Sequence, residues 1–306
     1  MKKSDLNTVI LAIIACLLWS SAFVGIKIGL PYTTPLHFAG IRFFISGLII
    51  LPFTGGLVRH WKIIREHTRF ILLIAILNTL VQYSIFYMGL SMVPAALAAI
   101  IIGAGPLFIA GVAHFMMPGD RMTLKKMGIF TIGLAGIILV SAGRNRFLEI
   151  GTISLLGIGL LLLNNVISGF GNVFVARDAD NIPPLVLSSS TMIIGGGGLY
   201  LLSLLIEGYN PGAKPLEYYG ALAWLSFLSA SAISIWYVLL KRPGVKVSDL
   251  NFWKFLIPVN GAILAWLVLP EEKPNWIAIS GMIIIAISLI MLNIYKRRSN
   301  MRSNKT

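Results

Sequence analysis

Apolar residues occur along this chain in long runs, which are separated by short polar segments that often contain Pro, Gly or Asn. A helix that crosses a bilayer needs about 20 mainly apolar residues, and the short segments are typical of turns. The pattern predicts ten transmembrane helices, approximately Leu6–Leu30, Leu36–Phe53, Phe70–Leu90, Ala95–Met117, Lys126–Ala142, Ile153–Val175, Leu185–Ile206, Tyr218–Leu240, Leu250–Leu269 and Trp276–Ile294.

The composition agrees with a chain that lies mostly in lipid. Of its 306 residues, 57% are hydrophobic and 12% are charged, and the mean hydropathy is +0.86. Soluble globular proteins carry roughly 25% charged residues. We therefore expect a multi-pass protein of a bacterial inner membrane, with the lipid bilayer as its surroundings.

The positive charge is distributed unevenly between the predicted loops. If the N-terminus is cytoplasmic, nineteen of the 25 Lys and Arg residues fall in cytoplasmic segments, four fall on the opposite side, and Lys27 and Arg42 fall within spans. An excess of Lys and Arg marks the cytoplasmic loops of membrane proteins. The distribution predicts both termini in the cytoplasm. No basic stripe interleaves with exposed aromatic residues, so no nucleic-acid partner is expected.

Matched residues relate the N-terminal half of the chain to the C-terminal half. They are Pro35 with Pro184, Tyr87 with Tyr237 and Pro106 with Pro258, at offsets of 149, 150 and 152 residues. Because five is odd, the second set of five spans enters the membrane from the opposite side, as in the inverted repeats of many transporters. We predict an all-α membrane protein of two inverted five-helix repeats, 1–143 and 150–296, and a basic cytoplasmic tail, 297–306. Chance alignment of apolar helices is the alternative.

Several short motifs follow one another along the chain in an order that resembles a known family. They are Leu17–Lys27, Pro35–Arg42, Phe86–Leu90, Gly105–Phe108 and Gly119–Arg121. With the Gly-rich fifth span, they resemble EamA-type transporters of the drug/metabolite transporter superfamily over nearly the whole chain. Asn164-Asn165 and Thr191 depart from the first-half pattern. The resemblance implies export of amino acids, other small metabolites or drugs, without specifying the cargo.

Polar residues on one face of the sixth predicted span are the first candidates for a substrate site. Asn165, Ser168 and Asn172 are spaced i, i+3 and i+7, and Asn164 lies beside them. Unpaired polar groups in lipid cost several kcal/mol, so this face is expected to point inward. It either lines a polar cavity that binds substrate or forms hydrogen bonds between helices.

The first two spans add an aromatic residue, a hydroxyl and two cations to the candidates. Trp19, Ser20 and Lys27 lie in the first span, and Arg42 lies about two turns into the second. Lys27 either binds substrate or extends to the membrane interface. Arg42 either binds a carboxylate or phosphate through its planar guanidinium or bonds backbone carbonyls as a structural contact.

Further candidates lie in the third, eighth and ninth spans. They are Asn78, Gln82 and Tyr83, then Ser231 and Trp236, then Asn260. Together they predict an aromatic and amide-lined cavity for an amphipathic metabolite, and the alternative is packing with an interfacial aromatic belt. Pro106 and Pro258 fall at matched places in the middle of their spans, where each is predicted to kink a helix and act as a hinge or as a purely architectural bend.

The placement of acidic residues bears on the mechanism. None of the eleven Asp and Glu residues falls at the middle of a predicted span. Proton-driven carriers commonly use an embedded carboxylate, so we expect a facilitative carrier, with an exchanger coupled to an ion gradient as the alternative. With Lys27 and Arg42 embedded, a zwitterionic or anionic small-molecule cargo is favoured.

No sequence pattern points to catalysis or to a bound cofactor. Cys16 is the single cysteine, and there is no CxxC, HExxH or nucleotide-binding motif. We expect no metal, no cofactor and no enzyme activity, although an intramembrane enzyme remains a third alternative. Monomer and homodimer are both open.

Overall fold

The computed structural model describes residues 3–93, 98, 101–142, 152–179, 181–208, 212–268, 274 and 276–303. These residues form helices joined by short connections, which we number as spans 1 to 10 in chain order. The helical segments are Lys3–Gly29 (span 1), Pro35–Ile50 (span 2), Thr68–Ala75, Ile76–Val81 and Gln82–Met92 (span 3), 101–103 and Gly105–Met116 (span 4), Leu124–Ala142 (span 5), Thr152–Asp178 (span 6), Pro184–Ile206 (span 7), Leu216–Leu240 (span 8), Val247–Asn251, Phe252–Phe255 and Leu256–Val268 (span 9) and Trp276–Ser303 (span 10).

The helices agree with the predicted order of spans. Within the described residues, six are long and apolar enough to cross a membrane, and the shorter apolar helices Ile101–Met116 and Trp276–Leu292 lie in spans 4 and 10. Apolar runs become helices in lipid because a helix satisfies its own backbone groups. The all-α fold class is confirmed. The span ends predicted at Ala95 and Leu269, and the borders 143 and 150 between the repeats, lie outside the described residues.

The packing of the spans shows the inverted repeat directly. Span 2 packs on span 7, span 5 on span 10 and span 4 on span 9, and each of these pairs is unchanged when the halves are exchanged. Span 1 packs on spans 8 and 9, just as span 6 packs on spans 3 and 4. The same exchange relates the contact between spans 2 and 8 to that between spans 7 and 3. The two halves are therefore interleaved, and most interhelical contacts join one half to the other.

Small residues allow the central spans of the two halves to approach closely. A Cβ atom added at Gly40 would lie 2.5 Å from the backbone nitrogen of Tyr200, and one at Gly196 would lie 2.4 Å from that of Phe44. The Ser189 hydroxyl donates to the Gly47 carbonyl at 2.7 Å. Small residues and short hydrogen bonds are the usual means of helix association in lipid, so spans 2 and 7 form a close-packed seam.

A carboxylate stabilises the outer end of this seam. We call the side on which the chain begins the inner side. At the outer side, both carboxylate oxygens of Glu207 accept the first amide N–H groups of span 2, those of Leu36 at 3.0 Å and His37 at 3.1 Å. This contact joins the end of span 7 to the start of span 2, because a carboxylate is favourable at a helix N-terminus.

The connection between spans 2 and 3 contains a helix that the hydrophobic pattern did not predict. This linking helix, Leu57–Glu66, is amphipathic and holds His60 against span 7, where its Nε2 lies 3.2 Å from the Ser190 hydroxyl. Burial lowers the pKa of His60 below its ordinary value of 6.5. The neutral imidazole is therefore the form that fits this contact.

Spans 3, 4 and 9 contain irregular turns or breaks, and those in spans 4 and 9 lie next to the predicted kinks at Pro106 and Pro258. Span 3 contains a π-helical turn at Ile76–Val81, and span 9 contains a 3₁₀ turn at Phe252–Phe255. Span 4 is interrupted at Ala104, directly before Gly105 and Pro106. Span 10 continues to Ser303, so the predicted basic tail begins inside a helix. Irregular turns of this kind within a span often occur at functional sites.

Candidate functional site

Three predicted site residues from three different spans meet on the inner half of the molecule. The indole N–H of Trp236 donates to Asn172 Oδ1 at 2.9 Å, and the Asn172 Nδ2 donates to the Ser168 carbonyl one turn earlier at 2.7 Å. Trp19 lies edge-on to Trp236, with ring centroids 5.0 Å apart. Spans 1, 6 and 8, taken from both halves, therefore contribute to one cluster of aromatic and amide groups.

A fourth predicted residue, Asn78, lies in the π-helical turn of span 3. Its Nδ2 donates to the Tyr237 hydroxyl at 3.3 Å, while its buried Oδ1 has no hydrogen-bond partner. The same oxygen lies 1.6 Å from where a Cβ atom at Gly171 would stand. Gly171 is thus the residue of span 6 that leaves space for Asn78, which places an unpaired amide oxygen between spans 3, 6 and 8.

Arg42 is buried in the outer half, with 4% of its surface exposed. Its guanidinium lies over the rings of Phe43 at 4.4 Å and Tyr83 at 5.6 Å. Its Nε and Nη1 atoms have no hydrogen-bond partner, and the buried Tyr87 hydroxyl also has none. Those two nitrogens bond no backbone carbonyl, and both roles weighed for Arg42, anion binding and a structural contact, stay predictions.

Lys254 belongs to this region, although the charge pattern assigned it to the cytoplasmic loops. It lies in the 3₁₀ turn of span 9, and its Nζ stands 4.7 Å from the ring centroid of Trp236 and 5.3 Å from that of Trp19. Cation–π contacts of this kind contribute roughly 0.5–2 kcal/mol each. The sequence did indicate that Lys254 lies near an irregular part of span 9, since it falls four residues before the helix-breaking Pro258.

The predicted proline kinks coincide with breaks in the helices. At the break in span 4, the Ile101 carbonyl accepts a hydrogen bond from Asn165 Nδ2 at 2.5 Å. Pro106 lies in the first turn of the helix that restarts there. In span 9, Pro258 likewise follows an irregular turn and lies at the third residue of Leu256–Val268. Whether either break moves as a hinge stays a prediction.

The remaining predicted residues do not join the cluster through a recorded hydrogen bond. Ser20 donates to the carbonyl of Cys16 in its own helix at 2.7 Å, and Lys27 is exposed. Asn164 is buried with its Oδ1 unpartnered. The others are half-buried: Gln82, Ser231 and Asn260. For Lys27, exposure near a span end agrees with the alternative in which its side chain extends to the interface.

A buried ionic network, which we call the inner latch, closes the inner side between the two halves. Lys126 Nζ lies 3.2 Å from Asp120 and 2.6 Å from Asp249. Asp120 also accepts the backbone N–H of Ser248 at 2.7 Å and the Ser248 hydroxyl, and Lys126 contacts that hydroxyl too. The three charged residues are only 2–5% exposed. All had been assigned to loops or span ends, and nothing in the sequence indicated that they would meet.

Comparisons with known proteins place both halves of the chain in one family. The chain matches the EamA-like transporter family twice, over residues 6–142 and 155–294. It is 27% identical to the uncharacterized transporter YvbV of Bacillus subtilis, over 94% of this chain and 92% of that one. It is also 27% identical to the uncharacterized inner membrane transporter YedA of Escherichia coli K12, over 91% and 89%.

A plant relative and a solved structure extend the comparison. The WAT1-related chloroplastic protein At3g02690 of Arabidopsis thaliana is 25% identical, over 90% of this chain and 66% of that one. A solved structure described only as the crystal structure of a protein shares the fold, with a TM-score of 0.82 at 19% identity, covering 95% of this chain and 98% of that one. With both halves matched in order, this chain belongs to the EamA-like transporter family.

Proposed function

We propose that this membrane transporter exports small metabolites, amino acids or related compounds, by facilitative alternating access. The observation that carries the proposal is the cluster of Trp19, Asn172 and Trp236, which three spans from both halves contribute. A site shared by two inverted halves can face either side of the membrane as the halves rock against each other. The substrate leaves chemically unchanged in this proposal.

Two unpaired groups support a substrate that carries both hydrogen-bonding and anionic groups. The buried Asn78 Oδ1 can accept a hydrogen bond, and two nitrogens of Arg42 can donate to a carboxylate. Unsatisfied polar groups in a buried region cost free energy, so a ligand that pairs with them gains the corresponding stabilisation. An amino acid has both the ammonium and the carboxylate that these groups require.

The facilitative mechanism is supported by where the acidic residues lie. In the described spans they occur at or within one turn of an end, as with Asp178, Glu207, Glu217 and Asp249. A proton relay through the middle of the membrane would need a carboxylate there. The alternative, coupling to an ion gradient, is tested in proteoliposomes. Uptake that follows an imposed pH gradient, with no substrate gradient, would contradict the facilitative proposal.

The inner latch supports alternating access, and the charge distribution supports the orientation. With both termini in the cytoplasm of a bacterial cell, the latch closes the cytoplasmic side, and the site opens to that side only after the latch separates. The name of the Escherichia coli relative, an inner membrane transporter, agrees with this location.

Export is tested by comparing metabolite release from cells with and without the protein. Arg42→Ala and Asn172→Leu are scored for flux and, separately, for abundance in the membrane. We expect both variants to be present while flux falls at least about tenfold, the loss expected from removing one well-placed polar contact of about 1.4 kcal/mol. Normal flux through Asn172→Leu would remove the cluster from the transport path.

A further inference from the structure

Lys254 is a cation held in an unusual setting on the inner half of the molecule. Its ammonium lies over two indole faces, those of Trp19 and Trp236, which come from spans 1 and 8. Among the described residues, no carboxylate forms an ion pair with it. The carboxylates of the inner latch contact Lys126 and, through Asp120, Ser248.

The two cation–π contacts do not replace a counter-ion. A charged side chain inside a membrane costs several kcal/mol unless it is paired, and each cation–π contact contributes roughly 0.5–2 kcal/mol. An anionic group that bound beside the ammonium would supply the missing pairing. The hydrogen bond from Trp236 to Asn172 fixes the orientation of one indole, so the aromatic wall is formed before any ligand arrives.

Lys254 lies where an exported solute would reach it early on the path out of the cell. It is seven residues from Val247, the first residue of span 9, which is roughly 10 Å from the inner end at 1.5 Å per residue. Asp249 of the inner latch lies on the same span, closer to that end. A solute entering from the inner side after the latch separates would therefore reach Lys254 before it reached Arg42 in the outer half.

We propose that Lys254, Trp19 and Trp236 form a subsite for the carboxylate of an organic anion or zwitterion, whose apolar part packs against the indoles. This proposal rests on the proposed function and adds a residue and a substrate class to it. One ammonium balances one negative charge, which favours a carboxylate over a doubly charged phosphate. The aromatic walls favour a ligand with an aliphatic or aromatic body over a small inorganic anion.

The test uses four probes on the purified full chain in detergent. 4-Methyl-2-oxopentanoate, leucine and leucinamide share one aliphatic skeleton and differ in charge, and inorganic phosphate is the fourth. Affinity is measured from the shift in melting temperature and from quenching of tryptophan fluorescence. We expect the oxo acid and leucine to bind, and leucinamide and phosphate to bind at least about tenfold more weakly, which corresponds to one ion pair of about 1.4 kcal/mol.

Matched variants separate the charge of Lys254 from its role in packing. Lys254→Met should lose about tenfold or more in affinity for the oxo acid, and Lys254→Arg should stay within about threefold, since it keeps the charge and the stacking. The control is Lys62→Met, because Lys62 lies on the linking helix with 76% of its side chain exposed. This control should bind both carboxylates like the wild type.

Several results would overturn the subsite. They are equal binding of leucinamide and the oxo acid, tighter binding of phosphate, no binding of either carboxylate, or unchanged affinity in Lys254→Met. If Lys254→Met does not fold, the wild-type probe series and Lys254→Arg decide the question. If the protein catalyses solute counterflow but binds none of the probes as expected, the subsite is refuted and the proposed function stands.

Discussion

The inner latch gives a quantitative prediction about the conformational equilibrium of the transporter. Replacing Asp249 with Asn removes one of the two carboxylates that hold Lys126, which lies 2.6 Å from Asp249 and 3.2 Å from Asp120. Spans 5 and 9, which belong to different halves, are then joined less strongly. We expect Asp249→Asn to shift the protein toward the state that is open on the inner side.

The size of the shift follows from the burial of the network. Hydrogen bonds to charged groups contribute about 1.5–3 kcal/mol when they are buried, because they form away from competing water. In the open state water hydrates the same groups. The substitution therefore removes this stabilisation from the closed state only. A change of this size corresponds to about 10- to 150-fold in the ratio of closed to open molecules.

The assay uses the single native cysteine. Cys16 is buried in span 1, one turn before Trp19 and Ser20. In inside-out vesicles, a small methanethiosulfonate reagent should label Cys16 in Asp249→Asn about 10- to 150-fold faster than in the wild type. The rate from the outer side should not rise, which distinguishes opening from unfolding.

The matched control is the exposed ion pair of Arg177 and Asp178 at the inner end of span 6. Its side chains are 43% and 36% exposed, and exposed pairs contribute about 0–1 kcal/mol. Asp178→Asn should therefore leave the labelling rate within a few fold of the wild type. An unchanged rate in Asp249→Asn, or an equal rise in both variants, would refute the latch as the inner closure.

Three further predictions concern single contacts. Gly171→Ala should force Asn78 to move by at least about 1.4 Å, the difference between 1.6 Å and the 3.0 Å that real Cβ contacts require. Flux in proteoliposomes should then fall while the abundance of the protein stays normal. Unchanged flux would contradict this. Asn165→Leu should remove the side-chain hydrogen bond to the Ile101 carbonyl, which keeps only the backbone N–H of Ala104 at 3.2 Å. The expected loss of stability is about 0.5–1.5 kcal/mol, which thermal melting in detergent measures against Asn260→Leu as the half-buried control. Burial lowers the pKa of His60 below 6.5, so its contribution to stability is present above that pH and is lost as the pH falls through the lowered pKa. His60→Gln should therefore flatten the dependence of the melting temperature on pH between about pH 7.5 and pH 5. An unchanged slope would contradict this.

The architecture was predictable because lipid imposes simple rules on a sequence. Apolar runs of about 20 residues give spans, whereas the orientation expected from the excess of Lys and Arg on alternate connections stays a prediction. The matched prolines at positions 106 and 258 indicated an internal repeat, which the exchange symmetry of the packed spans shows. The two prolines predicted kinks near these places, but the hydrophobic pattern does not show that the breaks lie at Ala104 and at Phe252–Phe255.

The sequence could identify candidate site residues that share one face of a helix. It could not identify residues that come together only because separate helices pack against each other. The spacing of Ser168 and Asn172 identified one polar face, but its contact with Trp236 depends on how spans 6 and 8 pack. Lys254 was counted with the loops because charge near a span end usually extends to water. The inner latch was missed because Asp120 and Asp249 lie 129 positions apart in the sequence, and no local pattern links them.

The most direct measurement is solute counterflow in proteoliposomes that contain the wild type or Asn172→Leu at equal abundance. Liposomes are loaded with unlabelled leucine, and labelled leucine is supplied outside. Our account predicts transient accumulation of label that saturates with concentration, does not need a pH gradient, and falls at least about tenfold in the variant. Accumulation no greater than in empty liposomes, or equal accumulation with both proteins, would contradict a carrier whose substrate binds between the two halves.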